Sequence, residues 1–568
     1  MALDVMTRRG RIQESLRLSL GPLTDAVGAH GQAAERAAGG LFRHDPQVWS
    51  TDPDVQQKIV NRLGWLDSPR LMADSIDRLR RFADGVRGDG FNDVVLLGMG
   101  GSSLAPEVLR AVLGVTPGWP AFHMLDSTDP AAVRAAWTPP QRTLYVLASK
   151  SGTTIEPNAL AAHFARTLQD AGVRDWATHF VAITDADTPL DRRARAEGFR
   201  DLFINPSDIG GRYSALSFFG LVPSVLMGQD IEALIEWGLA MFTAAEPGFG
   251  DAYANPAVAL GLAIGGAARA GRDKMTLVTP PAFDAFGLWV EQLIAESTGK
   301  HGVGIVPIAG EPVGDAAVYG SDRLFVRLHA KGSPDVAVPA EAPVVEIEVA
   351  EPAALGAEFA RWEIATAIAG ALLQINPFDE PNVQQAKDAT RVLLDGYKTT
   401  GRLPLPEADR VLDGGVALTL SGTARRYVTG GAESLLTILR QGDYFCLLAY
   451  LGPDEALARE LQRLRQAVRD RARVATMLGY GPRYLHSTGQ LHKGGPNTGV
   501  FVLITADPVE DIDIPGEPFS FGTLERAQGI GDFQSLDATG RRALHAHLPS
   551  PDPALVRALR ETLLAHLR

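Results

Sequence analysis

The stretch LASKSGTTIEP, residues 147–157, gathers Ser149, Lys150, Ser151, Thr153 and Thr154 around a single glycine. Two chemistries suit such a cluster. One is a polar turn in which a hydroxyl caps the following helix. The other is an anion site, where free N–H groups at a helix start, the helix dipole and small hydroxyl donors all favour negative charge. A second loop, GMGGSSLAP (98–106), sets Gly98, Gly100 and Gly101 ahead of Ser102 and Ser103. A dinucleotide turn would carry glycine at its sixth position, where Ser103 stands, although Asp126 ends the next strand-like run. A P-loop fails, because no Gly-Lys-Ser/Thr follows. The bland alternative is a tight turn that packs strand on helix.

Other candidates lie further along. Gln292 and Glu296, four apart in LWVEQLIAES, share one face of a helix. The apolar flanks bury that helix, and a desolvated carboxylate has a pKa raised toward neutrality, which suits a proton-transferring base. Arg212 follows Gly210 and Gly211, and a fixed guanidinium there would stabilise a developing oxyanion. Lys387 sits in the helical pattern NVQQAKDAT. Each has an ordinary counterpart: an exposed helix stripe, a surface arginine, a solvated lysine. His486 and His492 lie in HSTGQLHKGG, whose spacing lacks the companions of a metal site, and His301 follows Lys300.

These residues need elements to hold them. Residues 1–90 show apolar positions at three- and four-residue steps, as in VQQKIVNRLGWL, and form an N-terminal helical segment. From Asp93, short apolar runs (VVLLG, AFHML, TLYVLAS, HFVAIT, DLFIN) alternate with helical patterns over residues 91–205. Such alternation implies parallel strands joined by right-handed crossovers, a doubly wound sheet. The strands ending at Leu97 and Ala148 then open on one carboxyl-end crevice, where both loops converge. Residues 206–404 repeat the pattern, with KMTLVTP, RLFVRLH and VVEIEV as strands, and prolines and glycines mark a boundary near 405. Residues 405–568 alternate again through GDYFCLLAYL, DEALARELQRLRQAVRDR and GVFVLIT. The expected fold class is α/β: two doubly wound parallel-sheet lobes plus a third α/β C-terminal unit.

The totals narrow the partners. At 568 residues the chain holds several cores. A formal net charge of −13 argues against nucleic acid or an anionic membrane, so an anionic ligand must be held locally. The single cysteine, Cys446, fits a reducing compartment. With no signal-like start and no run of about 20 apolar residues, the chain reads as soluble and cytoplasmic.

GMGGSSLAP followed by SKSGTTIEP resembles the paired loops of sugar isomerase domains, specifically those of the glucose-6-phosphate isomerase family. GGRYSALSFFG, EQLIAESTGK and NPFDEPNVQQAK follow in the family's order, so that five motifs cover roughly residues 90–400. The likeness is closest to the isomerase half of bacterial transaldolase–glucose-6-phosphate isomerase fusions, whose end resembles GYGPRYLHSTGQLHKGGPNTGVF. The resemblance implies two sugar-isomerase-type lobes and a phosphate site from Ser149, Lys150, Ser151 and Thr154, with Ser102 beside the sugar. It implies that Gly211 and Arg212 stabilise an enediol, that Gln292 positions substrate, that Glu296 is the base and that Lys387 assists ring opening. The family's GQHAFYQ-like segment, which supplies a ring-opening histidine, is missing between Lys300 and Phe359. The glutamine usual after Phe-Asp is Glu380, and the tryptophan beside it is Pro381. The echo of the missing segment in GQLH points to His492 as its replacement.

The resulting expectation is interconversion of glucose 6-phosphate and fructose 6-phosphate through a cis-enediol, without metal or cofactor, a step of glycolysis and gluconeogenesis. A sugar-phosphate sensor on the same domains is the alternative; it has no use for the Gln292, Glu296 and Lys387 set. The resemblance is compatible with a homo-oligomer and with functional association with transaldolase. Transaldolase activity itself is not expected, because its (β/α)₈ barrel needs about 250 residues.

Overall fold

The computed structural model describes residues 2–248 and 251–567. Three sheets organise them. The first contains β2 (Asp93–Gly98), β3 (Ala121–Leu125), β4 (Thr143–Ala148), β5 (Phe180–Asp185) and β6 (Asp201–Asn205), in the order β3-β2-β4-β5-β6. All pairings are parallel. The chain leaves β2 for β3 on one side and returns to β4 on the other, so the order reverses between β2 and β4. Gly98 and Ala148 are register partners at that reversal, which opens the carboxyl-end crevice where such folds bind ligands.

The second sheet contains β7 (Lys274–Val278), β8 (Val306–Ile308), β9 (Arg323–Ala330) and β10 (Val344–Val349), parallel and with the same reversal about β7. Its edge corrects one sequence expectation. Residues 1–90 are not helical throughout: β1 (Leu16–Ser19) pairs antiparallel with β10. Its sequence LRLS alternates apolar and polar residues, a period of two that a helix cannot use. Within GRYSALSFFGLVPSVLMG only Phe218–Leu226 is α-helical, and Gly211–Tyr213 forms a single tight turn.

The third sheet contains β11 (Arg410–Val411), β12 (Ala417–Leu420), β13 (Tyr444–Tyr450), β14 (Ala475–Tyr480), β15 (Gly499–Ala506) and β16 (Arg542–Leu548), in the order β11-β12-β16-β15-β13-β14. The last four are parallel and repeat the reversal about β13. Along β13, Phe445, Leu447 and Ala449 face one core, while Tyr444, Cys446, Leu448 and Tyr450 face another shared with Val306 and Ile308 of the second sheet. Val95, Leu97, Tyr145 and Leu147 of the first sheet are likewise covered by Leu393 and Leu394 and by Phe521, Leu524 and Ile530 of the third unit. The third unit therefore closes cores of both lobes.

A buried charge cluster adds to that docking. Glu311, just after β8, accepts hydrogen bonds from the N–H (2.9 Å) and hydroxyl (2.6 Å) of Thr476 on β14 and pairs with Arg323 at 3.0 Å. Arg465, from the Glu455–Ala472 helix, donates to the carbonyls of Ala309 (2.7 Å) and Gly310 (2.8 Å). No helix among the described residues is long and apolar enough to cross a membrane.

Candidate active site

A cavity of about 770 Å³ opens at the β2/β4 reversal. Its walls include Ser102, Ser149, Lys150, Ser151 and Thr154 from the first lobe, Gly211 and Arg212 from the tight turn, and Gln292, Glu296 and Lys387 from two later helices. The structure thus brings together every expected site residue except His492.

The hydroxyl loop leaves β4 and enters the Ile155–Asp170 helix. Thr154 stands at the N-cap but makes no side-chain capping bond, which leaves the first-turn N–H groups open. Ser149 donates to Thr154 at 3.1 Å, and Ser151 and Thr153 share a hydrogen bond of 2.9 Å. Gly152 adopts φ +66°, and a Cβ there would lie 2.7 Å from the Leu190 nitrogen, so only glycine fits this turn. Lys150 pairs with Asp185 at the end of β5 and donates to the Ser207 carbonyl at 2.9 Å.

The glycines of the other loop have a steric task. A Cβ on Gly101 would lie 2.0 Å from the Gly211 carbonyl oxygen; one on Gly100 would lie 2.6 Å from that of His486. Their absence lets the β2 loop touch both the Arg212 turn and the third unit. Arg212 is only 3% exposed. It donates to Ser297 Oγ (2.7 Å) and to the carbonyls of Pro377 (2.7 Å) and Asp379 (3.0 Å), which aims its third nitrogen at carboxylates. That Nη1 lies 3.3 Å from Glu296 and 3.1 Å from Glu380.

Glu296 rides on the Asp284–Thr298 helix with its side chain 12% exposed. Gln292, one turn earlier, donates to Glu296 at 3.1 Å and to the His486 carbonyl at 2.7 Å. Burial raises the Glu296 pKa; Arg212 opposes the rise and Glu380 adds to it, and the net direction is up from 4.5. Burial works against the Arg212 charge, yet Glu296 and Glu380 hold its pKa above the ordinary value. Beneath them Lys300, wholly buried, donates to Asp379 and to the Asn376 carbonyl, and burial lowers its pKa to about 8.

The histidine expectation is corrected. His492 lies on the Gly489–Gly494 helix with its ring turned into the core against Tyr484 and Phe501, its Nε2 3.7 Å from Cys446 Sγ. Burial, then Lys493 and Arg541, hold its pKa well below 6.5. His486 lines the cavity instead, and its Nε2 lies 2.9 Å from Glu156 Oε1. Burial would raise the Glu156 pKa, but His486, with help from a backbone hydrogen bond and Lys387, holds the carboxyl below 4.5. His301 borders a different cleft beside Pro381 and Arg541. Glu156, Asp185 and Arg62 also line or support the site and escaped sequence reasoning. Glu156 had a signal, since it stands two residues past Thr154 on the first helical turn of SKSGTTIEP.

Comparison with known proteins accords with this geometry. Residues 70–247 match the family model for phosphoglucose isomerase. The match spans the first sheet, both ligand loops and Arg212. The chain is 27% identical over 453 residues to the glucose-6-phosphate isomerase of Synechococcus sp. (strain CC9605), covering 68% of this chain and 82% of that one. It is 26% identical over 422 residues to the glucose-6-phosphate isomerase of Trichormus variabilis, covering 63% and 76%. Among solved structures, a hypothetical protein from Thermus thermophilus superposes with TM-score 0.55 and 25% identity, over 66% of this chain and 99% of that one. A glucose-6-phosphate isomerase from Chlamydia trachomatis shares the fold with TM-score 0.51 and 20% identity, over 66% and 86%.

Proposed function

We propose that the chain interconverts glucose 6-phosphate and fructose 6-phosphate through a cis-enediol, with Glu296 as the base. The observation that carries this reading is the pairing of a desolvated carboxylate, Glu296, with the buried guanidinium of Arg212 on one cavity wall, facing a hydroxyl-rich helix start on the other. A protein that only bound a sugar phosphate would need the second wall and not the first.

The phosphate sits in the Ser149–Thr154 loop, held by hydroxyls and first-turn N–H groups. His486, oriented by Glu156, moves the ring-opening proton between the ring oxygen and the anomeric hydroxyl, with Lys387 on the same wall. Glu296 then takes the proton from C2 of the open-chain aldose while O1 gains one, which forms the enediol. Return of the carried proton to C1, with loss of the O2 proton, yields the ketose. Arg212, itself buried, faces the oxygens on which charge develops and meets it with a fixed cation. The raised pKa of Glu296 strengthens it as a base.

A coupled assay tests the reading: purified protein supplied with fructose 6-phosphate should form glucose 6-phosphate at a rate that saturates with substrate. Absence of product from folded protein would refute it.

A further inference from the structure

The Glu156–His486 pair does not end at Glu156. Glu156 Oε1 accepts a second hydrogen bond, of 2.8 Å, from Nε2 of Gln528 on the Phe521–Ala538 helix of the third unit. The Gln528 carbonyl oxygen in turn accepts from Thr128 Oγ1 at 2.9 Å, in the loop that follows β3. All three side chains are buried: Thr128 is 0%, Gln528 2% and Glu156 3% exposed.

We propose that Gln528, with Thr128, is a positioning residue that fixes the Glu156–His486 pair for ring opening. The inference rests on the ring-opening role given to His486. Thr128 can only donate here if Gln528 turns its oxygen toward it, and that choice points the amide N–H at Glu156. A buried carboxylate is costly unless hydrogen-bond donors meet its charge, and Gln528 supplies such a donor to the same oxygen that His486 uses. An ionised Glu156 holds the imidazole with its proton on Nε2 and leaves Nδ1 to exchange protons with substrate. Replacing an acid by an amide in such a pair elsewhere leaves the geometry intact and installs the wrong tautomer. Two other titratable groups face Glu156 from elements packed around it: Lys387, from the Val383–Thr400 helix, favours its charge, and Tyr450 of β13 has its own pKa raised in part by the Glu156 charge. Neither supplies the oriented N–H that Gln528 does. If packing alone mattered, apolar side chains would fill this space without three buried polar groups to satisfy.

The test uses protein labelled with ¹⁵N-histidine. The Nε2–H signal of His486 is identified by its loss in His486→Gln. Gln528→Leu, which keeps bulk but not the donor, should shift or broaden that signal. It should also slow turnover on cyclic glucose 6-phosphate by about 10-fold, part of the ~10²–10⁴-fold that acid–base catalysis supplies. The Michaelis constant and C2 proton exchange on an open-chain analogue should change less than about twofold, since neither uses this pair. Thr128→Val should give a smaller effect of the same kind, and Thr128→Ser, which restores the hydroxyl, should return wild-type behaviour. An unchanged His486 signal and an unchanged cyclic-to-open-chain ratio in folded Gln528→Leu would overturn the proposal. If that variant does not fold, equal behaviour of Thr128→Val and Thr128→Ser would overturn it instead. Should His486→Gln itself spare cyclic turnover, the ring-opening role falls, while the imidazole signal still judges whether Gln528 positions the ring.

Discussion

Nη1 of Arg212 lies 3.3 Å from Oε1 of Glu296, between that carboxylate and Glu380, 3.1 Å away on the other side. One guanidinium thus serves two acids with different exposures, 12% for Glu296 and 40% for Glu380. The more exposed acid competes for the cation and repels the buried one, and both effects disfavour ionised Glu296.

Glu380→Gln should therefore lower the Glu296 pKa. Loss of the neighbouring negative charge, and full use of Arg212 by Glu296, both stabilise the ionised base. The acid limb of the kcat/KM profile reports this group in the free enzyme, so it should move to lower pH. An unmoved or upward-shifted limb would separate Glu380 from the base.

The hydroxyl loop should act mainly in binding. Removing the Ser151 hydroxyl deletes a donor to a dianion worth about 1–3 kcal/mol, so Ser151→Ala should raise the Michaelis constant far more than it lowers turnover. Equal constants for wild type and variant, measured with both sugar phosphates, would reduce this loop to a helix-start turn.

The two histidines should differ in kind. His486→Gln should slow turnover on cyclic sugar by at least ~10-fold while sparing C2 proton exchange on an open-chain analogue. His492→Gln should leave that ratio intact and show its effect in unfolding, because the ring is buried against Tyr484 and Phe501. The reverse outcome would restore His492 to the site.

Docking of the third unit should carry a charge signature. Glu311→Gln leaves the Arg323 and Arg465 charges without their buried carboxylate, a loss of about 3–5 kcal/mol by urea unfolding at neutral pH. Burial opposes the Glu311 charge, but the two arginines hold its pKa below 4.5. A depressed carboxyl pKa stabilises the fold above 4.5 and loses that contribution as pH falls through the lower folded value. A loss under about 1 kcal/mol would mean that apolar contacts alone hold the unit.

How much of this was legible in the sequence depended on the range of the interaction. β2 and β4 were readable because continuous apolar runs bounded by turn residues signal buried parallel strands, and their register then brings Ser102 and Ser149 to one crevice. Gln292 and Glu296 were readable because a helix converts a spacing of four into a shared face. β1 was not, since four residues inside a helical stretch acquire a partner only from β10, more than 300 residues later. The choice between His486 and His492 was hidden for a similar reason. Both lie in one glycine-rich segment, and only its packing on β13 and β15 turns one ring inward and the other toward Glu156. The GQLH echo was local likeness without that packing. Gln528 and Thr128 carry no local signal at all; they become significant only when the first lobe and the third unit meet.

The most direct test of the account is proton transfer by Glu296. Glu296→Gln keeps the side chain's size and one of the two acceptor oxygens that meet Gln292 and Arg212 but removes the base. In deuterated water, turnover should fall by at least ~10²-fold and deuterium incorporation at C2 of recovered glucose 6-phosphate should fall with it, while substrate still binds. Near-normal exchange at C2 in the folded variant would contradict the account and assign the base elsewhere.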